Sequence, residues 1–398
     1  MLETYGHGGD WQTASRLYER EDFVDFSSNM NPLGPPSGVR EILQGGLDWL
    51  TRYPDPAVRE LRRKLAALHR IPEEAILVGN GAAELIDLAI RQLQPSVVRL
   101  AKPCFGEYEE AARKIGARVE ELPLPEEAEY RLRVEQVTEK LALASGEAWH
   151  EATRKRASED MRDGTHGVTA LPLWVLGHPN NPTGQLLDPA IPEAIRAAGE
   201  PLLLDEAFME FVERESEGAF SYVRRAAEDP NLLVLRSMTK FYAIPGIRLG
   251  YIVSHPERIE QLRHAQIPWS VNGLAQAIGC AVVDDPTFVK QTEAWLAEER
   301  PWLTECLQEL GLTVTPSSVN YVLAQLPAAS GWTAPLLQQA MGRRGVLIRD
   351  ASRMGQLTPL HVRLAIKTRR DHERLLAALA ECLRLGPSAA DAEGRAEP

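Results

Sequence analysis

The sequence predicts an α/β chain of two domains, on three observations. With 398 residues and 44% hydrophobic content there is enough apolar material for two cores. The runs Val97 to Leu100, Leu202 to Leu204 and Leu232 to Leu235 are short and wholly apolar, the length and composition of buried strands. Helical spacing appears between them, as in Leu61, Leu65 and Leu68. Two of the strand runs end in chemistry-bearing residues, Asp205 and Arg236-Ser237. Open α/β sheets bind their ligands in the crevice beyond the carboxyl ends of the strands.

The totals narrow the function. Against 44 basic side chains stand 56 acidic ones, a formal charge of −12, which argues against nucleic acid as a main partner because neutralising phosphates takes a basic face. The longest apolar runs fall far short of a membrane span and Met1-Leu2-Glu3 starts no signal peptide, so no membrane partner and a cytoplasmic location are expected. Cys104, Cys280, Cys306 and Cys382 lie far apart without paired spacing. They point to neither a disulfide framework nor a metal site and are expected as small buried apolar residues.

The first 36 residues carry His7-Gly8-Gly9-Asp10 and the run Phe26 to Pro36, FSSNMNPLGPP. Gly, Pro and Asn at this density predict an extended arm with fixed turns and little regular structure. Arg52-Tyr53-Pro54-Asp55 then opens a helical pattern. Ile76 to Ile90 reads as strand, glycine turn and helix. Backbone N–H groups at such a helix start bind phosphate without charged side chains, which makes Gly81, Ala82 and Ala83 a candidate cradle. After the strand at Val97 to Leu100, the run KPCFGEY presents Phe105 and Tyr108. Residues 125 to 170 are polar and charged, and read as a surface insertion with a helix around Val134 to Leu143.

Leu171 to Gly184 gives a buried strand and a turn rich in Asn and Pro that holds Asn181. Pro201 to Phe211 is a strand ending in Asp205. A carboxylate there must meet a cation or strong donors, because an unpaired buried charge is very costly; a helix N-cap is the plainer alternative. Leu232 to Tyr251 follows with Ser237, Thr239, Lys240, the turn Pro245-Gly246 and Arg248. Two cations, two hydroxyls and a rigid turn suit a phosphorylated ligand, and a lysine beside apolar surface is available as an amine nucleophile for a carbonyl. Ile267 to Gln276 leads into a second domain with a helix at Trp295 to Leu310 and strands at Leu312 to Val314 and Val319 to Leu323. Strands at Val346 to Ile348 and Leu364 to Ile366 carry Arg349 and Arg363 at their ends. From Gly386 the composition turns to Ala, Ser, Gly, Pro and Glu, expected as a disordered tail.

Ser237 three residues before Lys240 and Arg248 eight after it resemble the pattern by which fold-type I pyridoxal-phosphate enzymes, the class I/II aminotransferase superfamily, hold their cofactor. The HGG arm, the NPLG turn and IPWSVN are similar to those of its threonine-phosphate decarboxylase branch, and the resemblance covers residues 5 to 385. It implies a three-layer large domain with a mostly parallel sheet over 41–270 and a smaller α+β C-terminal domain over 271–385. An arm, 1–40, would join the small domain and cover the site, and the tail would be 386–398.

For the cofactor, pyridoxal 5'-phosphate, it implies Lys240 as covalent anchor, with Gly81, Ala82, Ala83, Ser237 and Arg248 on its phosphate. Phe105 would stack on the ring, Asn181 would donate to the phenolic oxygen, and Asp205 would pair with the ring nitrogen and make the ring an electron sink. Tyr53 would reach the cofactor phosphate of the neighbouring subunit, which implies a homodimer. The substrate would meet His7, Gly8, Gly9 and Asn31 of the arm, Arg349 through its phosphate, and Arg363 through a bidentate grip on its carboxylate.

Two departures bear on the reaction. Asp10 stands where the branch has Asn, an extra negative charge near a phosphate pocket. Phe208 stands where aminotransferases of the superfamily commonly place Tyr, and this leans toward decarboxylation. The implied reaction converts L-threonine O-3-phosphate to (R)-1-amino-2-propanol O-phosphate and CO2, the linker of cobalamin. The alternatives are a histidinol-phosphate aminotransferase and, from a different class, a regulator whose aminotransferase-like domain senses a ligand and which would need a DNA-binding segment.

Overall fold

The computed structural model describes residues 8–144, 171–212 and 220–393. The chain divides into a larger unit, residues 34–180 and 186–289, and a smaller one, residues 1–33, 181–185 and 290–398. The first strand, β1 (Val24–Asp25), belongs to the smaller unit; the larger holds β2 (Ile76–Gly79), β3 (Val97–Lys102), β4 (Arg118–Pro123), β5 (Leu173–Gly177), β6 (Leu202–Asp205), β7 (Leu232–Ser237) and β8 (Gly250–Val253). These seven form one sheet in the order β2-β8-β7-β6-β5-β3-β4. All neighbours from β7 to β4 are parallel, while β8 runs antiparallel to both β2 and β7. The mostly parallel sheet matches the expectation.

β5, β6 and β7 are buried at every position, as strands covered on both faces are, and so read as largely unbroken apolar runs. On one face Leu100, Leu203, Leu233 and Ile252 pack with Leu85, Ile86 and Ala89 of the helix Ala82–Leu93. β6 is the middle strand, so Asp205 at its carboxyl end lies at the centre of the sheet. Next to it, β7 ends at Ser237, whose register partner is Gly250 of β8; Gly250 in turn faces Gly79 of β2. A Cβ on Gly250 would lie 2.8 Å from the Arg236 carbonyl oxygen and 3.2 Å from the Ala82 nitrogen, so only glycine lets these backbones close up.

Beneath this edge Arg236 and Glu206 form a buried ion pair at 3.0 Å. Ser221 Oγ and the Tyr222 N–H donate to the same carboxylate at 2.8 and 2.7 Å.

In the smaller unit β1 pairs in parallel with β11 (Val346–Leu347). β9 (Thr313–Val314), β10 (Tyr321–Gln325), β12 (Arg349–Asp350) and β13 (His361–Ala365) form an antiparallel sheet in the order β12-β13-β10-β9. The helices Ala334–Arg343 and Arg369–Glu393 belong to the same unit.

Several expectations are corrected. The arm is not wholly extended: Trp11–Tyr18 is a helix, and Asp10 is its N-cap, with Oδ1 accepting from the Thr13 N–H at 3.0 Å. The charge read as awkward for a phosphate therefore satisfies a helix start. Leu68 is 38% exposed and only Leu61 and Leu65 of that stripe are core. β4 and β8 were not expected, and the last strand begins at His361 instead of Leu364. The expected domain boundary at 270/271 falls at 289/290, because Asn272 caps the helix Gly273–Val283 and that helix packs in the larger unit. The expected tail from Gly386 breaks at Gly386 and is helical again to Glu393; residues 394–398 lie outside the described residues. Of the insertion, Val134–Ala144 is the expected helix, and 145–170 lie outside the described residues. No helix among the described residues is long and apolar enough to cross a membrane.

Removing one partner of the Arg236–Glu206 pair leaves a buried charge uncompensated. Arg236→Met should therefore cost about 3–5 kcal/mol in unfolding free energy, read from chemical denaturation.

Candidate active site

In the larger unit the candidate phosphate cradle is built from backbone. Gly81, at φ +85, turns the chain into the helix Ala82–Leu93, and the first N–H groups of that helix have no partner within it. Arg248 comes so close that a Cβ on Gly81 would lie 2.5 Å from its Nη2. Arg248 itself sits at φ +60 and its Nη1 donates to the Pro245 carbonyl at 3.4 Å. Ser237 is buried at the end of β7, and its Oγ accepts from the Thr239 N–H at 3.4 Å. A helix dipole, a guanidinium and a hydroxyl at the same end of the sheet suit a phosphate. Lys240 follows in the same turn, three residues beyond the end of β7.

Asp205 is buried, and both of its oxygens accept hydrogen bonds: Oδ1 from the Ala207 N–H at 2.9 Å, Oδ2 from the Tyr108 hydroxyl at 2.6 Å. Burial pushes its carboxyl above the usual range, while these two donors pull it back. The N-cap alternative fails, since the residues after Asp205 form a turn and the short 3-10 helix begins only at Met209. Phe105 packs edge-on against Tyr108, centroids 5.7 Å apart at 84°. Phe208 is buried with its ring 6.4 Å from that of Phe211. Tyr53 is 85% exposed and lies on the Trp269 ring at 5.2 Å. The cradle, the lysine and the central carboxylate fit a cofactor with a phosphate, a carbonyl and a basic ring nitrogen.

The smaller unit holds the other candidates. Arg349 and Arg363 are register partners on β12 and β13, and both are buried. Directly opposite residues on an antiparallel pair have Cβ atoms about 4.5–5.5 Å apart, so the two arginine side chains leave the sheet on the same face. Arg363 is oriented by three contacts: Nη1 donates to Asn181 Oδ1 at 2.6 Å, Nη2 to the Ser27 carbonyl at 2.8 Å, and the Tyr321 ring lies 5.5 Å away. With its oxygen held by Arg363, Asn181 keeps its Nδ2 as the donor end. Asn31 is buried in its turn, with Nδ2 donating to Thr292 Oγ1 at 2.8 Å and Oδ1 accepting from the Leu33 N–H.

Gly8 lies so close to the Ser27 carbonyl that a Cβ would overlap it, and the Gly9 N–H donates to Ser27 Oγ at 2.9 Å. His7 lies outside the described residues.

Sequence reasoning missed Asp25. Its carboxylate accepts from Trp11 Nε1 at 3.2 Å, the Ser27 N–H at 2.8 Å, Ser27 Oγ at 2.6 Å and Ser28 Oγ at 2.7 Å. It thereby fixes the segment whose carbonyl meets Arg363. The DFSS spacing, an acid two and three residues before hydroxyls, was the available signal.

The fold and these residues define a cofactor-dependent enzyme of the doubly covered α/β class. Residues 21–379 match the family described as aminotransferase class I and II. The chain is 33% identical over 385 residues to the threonine-phosphate decarboxylase of Salmonella typhimurium, covering 95% of this chain and 96% of that protein. It is 32% identical over 387 residues to a histidinol-phosphate aminotransferase of Anaeromyxobacter, covering 96% and 97%. The crystal structure of the histidinol-phosphate aminotransferase from Clostridium acetobutylicum superposes with a TM-score of 0.76 at 26% identity, over 90% of this chain and 98% of that one. The chain belongs to the class I and II aminotransferase family, and its cofactor is pyridoxal phosphate.

Gly81→Ala would place a methyl group against Arg248 at a backbone angle that side chains rarely adopt. Affinity for pyridoxal phosphate should fall about tenfold or more, measured by absorbance titration.

Proposed function

We propose that this enzyme decarboxylates L-threonine O-3-phosphate to (R)-1-amino-2-propanol O-phosphate and CO2, in cobalamin biosynthesis. The observation that carries the proposal is the Arg349–Arg363 register pair. Arginine is the side chain that grips carboxylate and phosphate in a fork, and the proposed substrate brings one of each. Identity to relatives of the two competing activities differs by one percentage point, so the choice rests on such residues.

Bound pyridoxal phosphate supplies an electron sink for whichever bond at the substrate Cα stands perpendicular to its ring. Lys240 attaches the cofactor; Gly81, Ala82, Ala83, Ser237 and Arg248 hold its phosphate, and Phe105 stacks on its ring. Asp205 pairs with the ring nitrogen and Asn181 donates from Nδ2 to the phenolic oxygen. Arg363 forks onto the carboxylate and so sets which Cα bond is presented. Arg349 takes the substrate phosphate, with the arm at His7, Gly8, Gly9 and Asn31 around it. Phe208 offers no hydroxyl to the phenolic oxygen, which supports decarboxylation over amino transfer.

The working form is a homodimer in which Tyr53 reaches the partner's cofactor. Exposure supports this: Leu47 and Leu50 are each 79% exposed, and Tyr53 and the Trp269 ring it lies on are exposed too, apolar surface of the kind that a second copy covers.

Purified enzyme supplied with pyridoxal phosphate should release CO2 from L-threonine O-3-phosphate. Arg349→Ala should raise KM about 30-fold or more with a smaller change in kcat, since a phosphate contact acts in ground and transition states alike. Turnover of histidinol phosphate with 2-oxoglutarate and no CO2 from threonine phosphate would overturn the assignment.

A further inference from the structure

We propose that Tyr108 is a positioning residue for the cofactor ring: its hydroxyl aims the Asp205 carboxylate, while its ring braces Phe105. The inference rests on the role proposed above for Asp205 and is independent of which reaction follows.

The helix Glu107–Lys114 reads EYEEAARK, an acidic helix in which Tyr108 is the large buried residue. A purely packing role there calls for Phe or Leu, because a buried hydroxyl costs free energy unless it is hydrogen-bonded. This hydroxyl spends its proton on Asp205 Oδ2, 97 residues away in sequence, at 2.6 Å. With the Ala207 N–H on Oδ1 at 2.9 Å, the carboxylate is held at both oxygens and its plane is set. The same ring meets Phe105 edge-on, so one side chain links the aromatic proposed to stack on the cofactor with the acid proposed to pair with its nitrogen.

The electrostatics point the same way. Burial and the neighbouring Glu206 favour the neutral acid, and the Tyr108 hydroxyl is the first of the influences that oppose them, followed by the Ala207 N–H. Glu206 is itself paired with Arg236 of β7, and burial lowers the proton affinity of His178, which follows β5. Removing the hydroxyl therefore raises the proton affinity of Asp205. Asp205 is raised overall by burial and the Tyr108 bond acts in the opposite, lowering sense, so the charge this bond protects is present at higher pH and lost as the pH falls. Without the bond that loss comes at a higher pH.

The test is cofactor binding in the absence of substrate, with the full chain. Tyr108→Phe keeps the ring and removes one oxygen. Its dissociation constant for pyridoxal phosphate, followed by absorbance and tryptophan fluorescence across pH, should rise about tenfold at neutral pH. The acid midpoint of binding should move up by about one pH unit. Asp205→Asn should weaken binding more, and Tyr108→Phe/Asp205→Asn should bind no worse than Asp205→Asn alone. Wild-type affinity with an unmoved acid midpoint in Tyr108→Phe, or full additivity in the double variant, would overturn the proposal. Wild-type binding in Asp205→Asn would instead sink the role of Asp205 itself.

Discussion

A carboxylate buried at the end of the central strand is the constraint around which the larger unit is arranged. Asp205 is almost wholly cut off from water, and a lone charge in that position would be neutralised or would unfold the site. The fold answers with two donors, the Ala207 N–H and the Tyr108 hydroxyl, and a carboxylate so held has one strong use left, a cationic ligand. The position of β6 in the middle of a parallel sheet places that acid in line with the carboxyl ends of its neighbours. Ser237 lies at the end of the adjoining strand, and Lys240 and Arg248 follow it in the chain. Gly250 and Gly81 then let backbone and guanidinium come close together, the arrangement proposed as a phosphate cradle.

The smaller unit brings two arginines together: Arg349 and Arg363 are buried register partners on two antiparallel strands. Arg363 is turned by Asn181, by the Ser27 carbonyl and by the Tyr321 ring. Asp25 holds Ser27 in place and ties in Trp11 of the arm's helix. The aim of Arg363 thus depends on a carboxylate held elsewhere in the same unit.

Much of this was legible in the sequence. Strands buried on both faces leave unbroken apolar runs, so β6 and β7 and the residues at their ends stood out, as did the strand–turn–helix at Gly81. What escaped were features made by pairing over distance. β8 hides behind Pro245-Gly246 and begins with a glycine, which breaks the apolar pattern. The helix at Trp11 is short and lies among turn residues, so only its Asp10 cap announces it. Tyr108 and Asp205 are joined by folding alone, and the register that sets Arg349 against Arg363 depends on a strand of two residues. Their separate chemistry could be read; their partnership could not.

The role proposed for Asp205 requires an anion that keeps the cofactor's ring nitrogen protonated. Nitrogen-15 magnetic resonance of the enzyme loaded with pyridoxal phosphate labelled at the ring nitrogen tests it most directly. The account predicts the chemical shift of a protonated pyridine at neutral pH, moving to that of a free pyridine in Asp205→Asn. An unprotonated shift in the wild-type enzyme would contradict it.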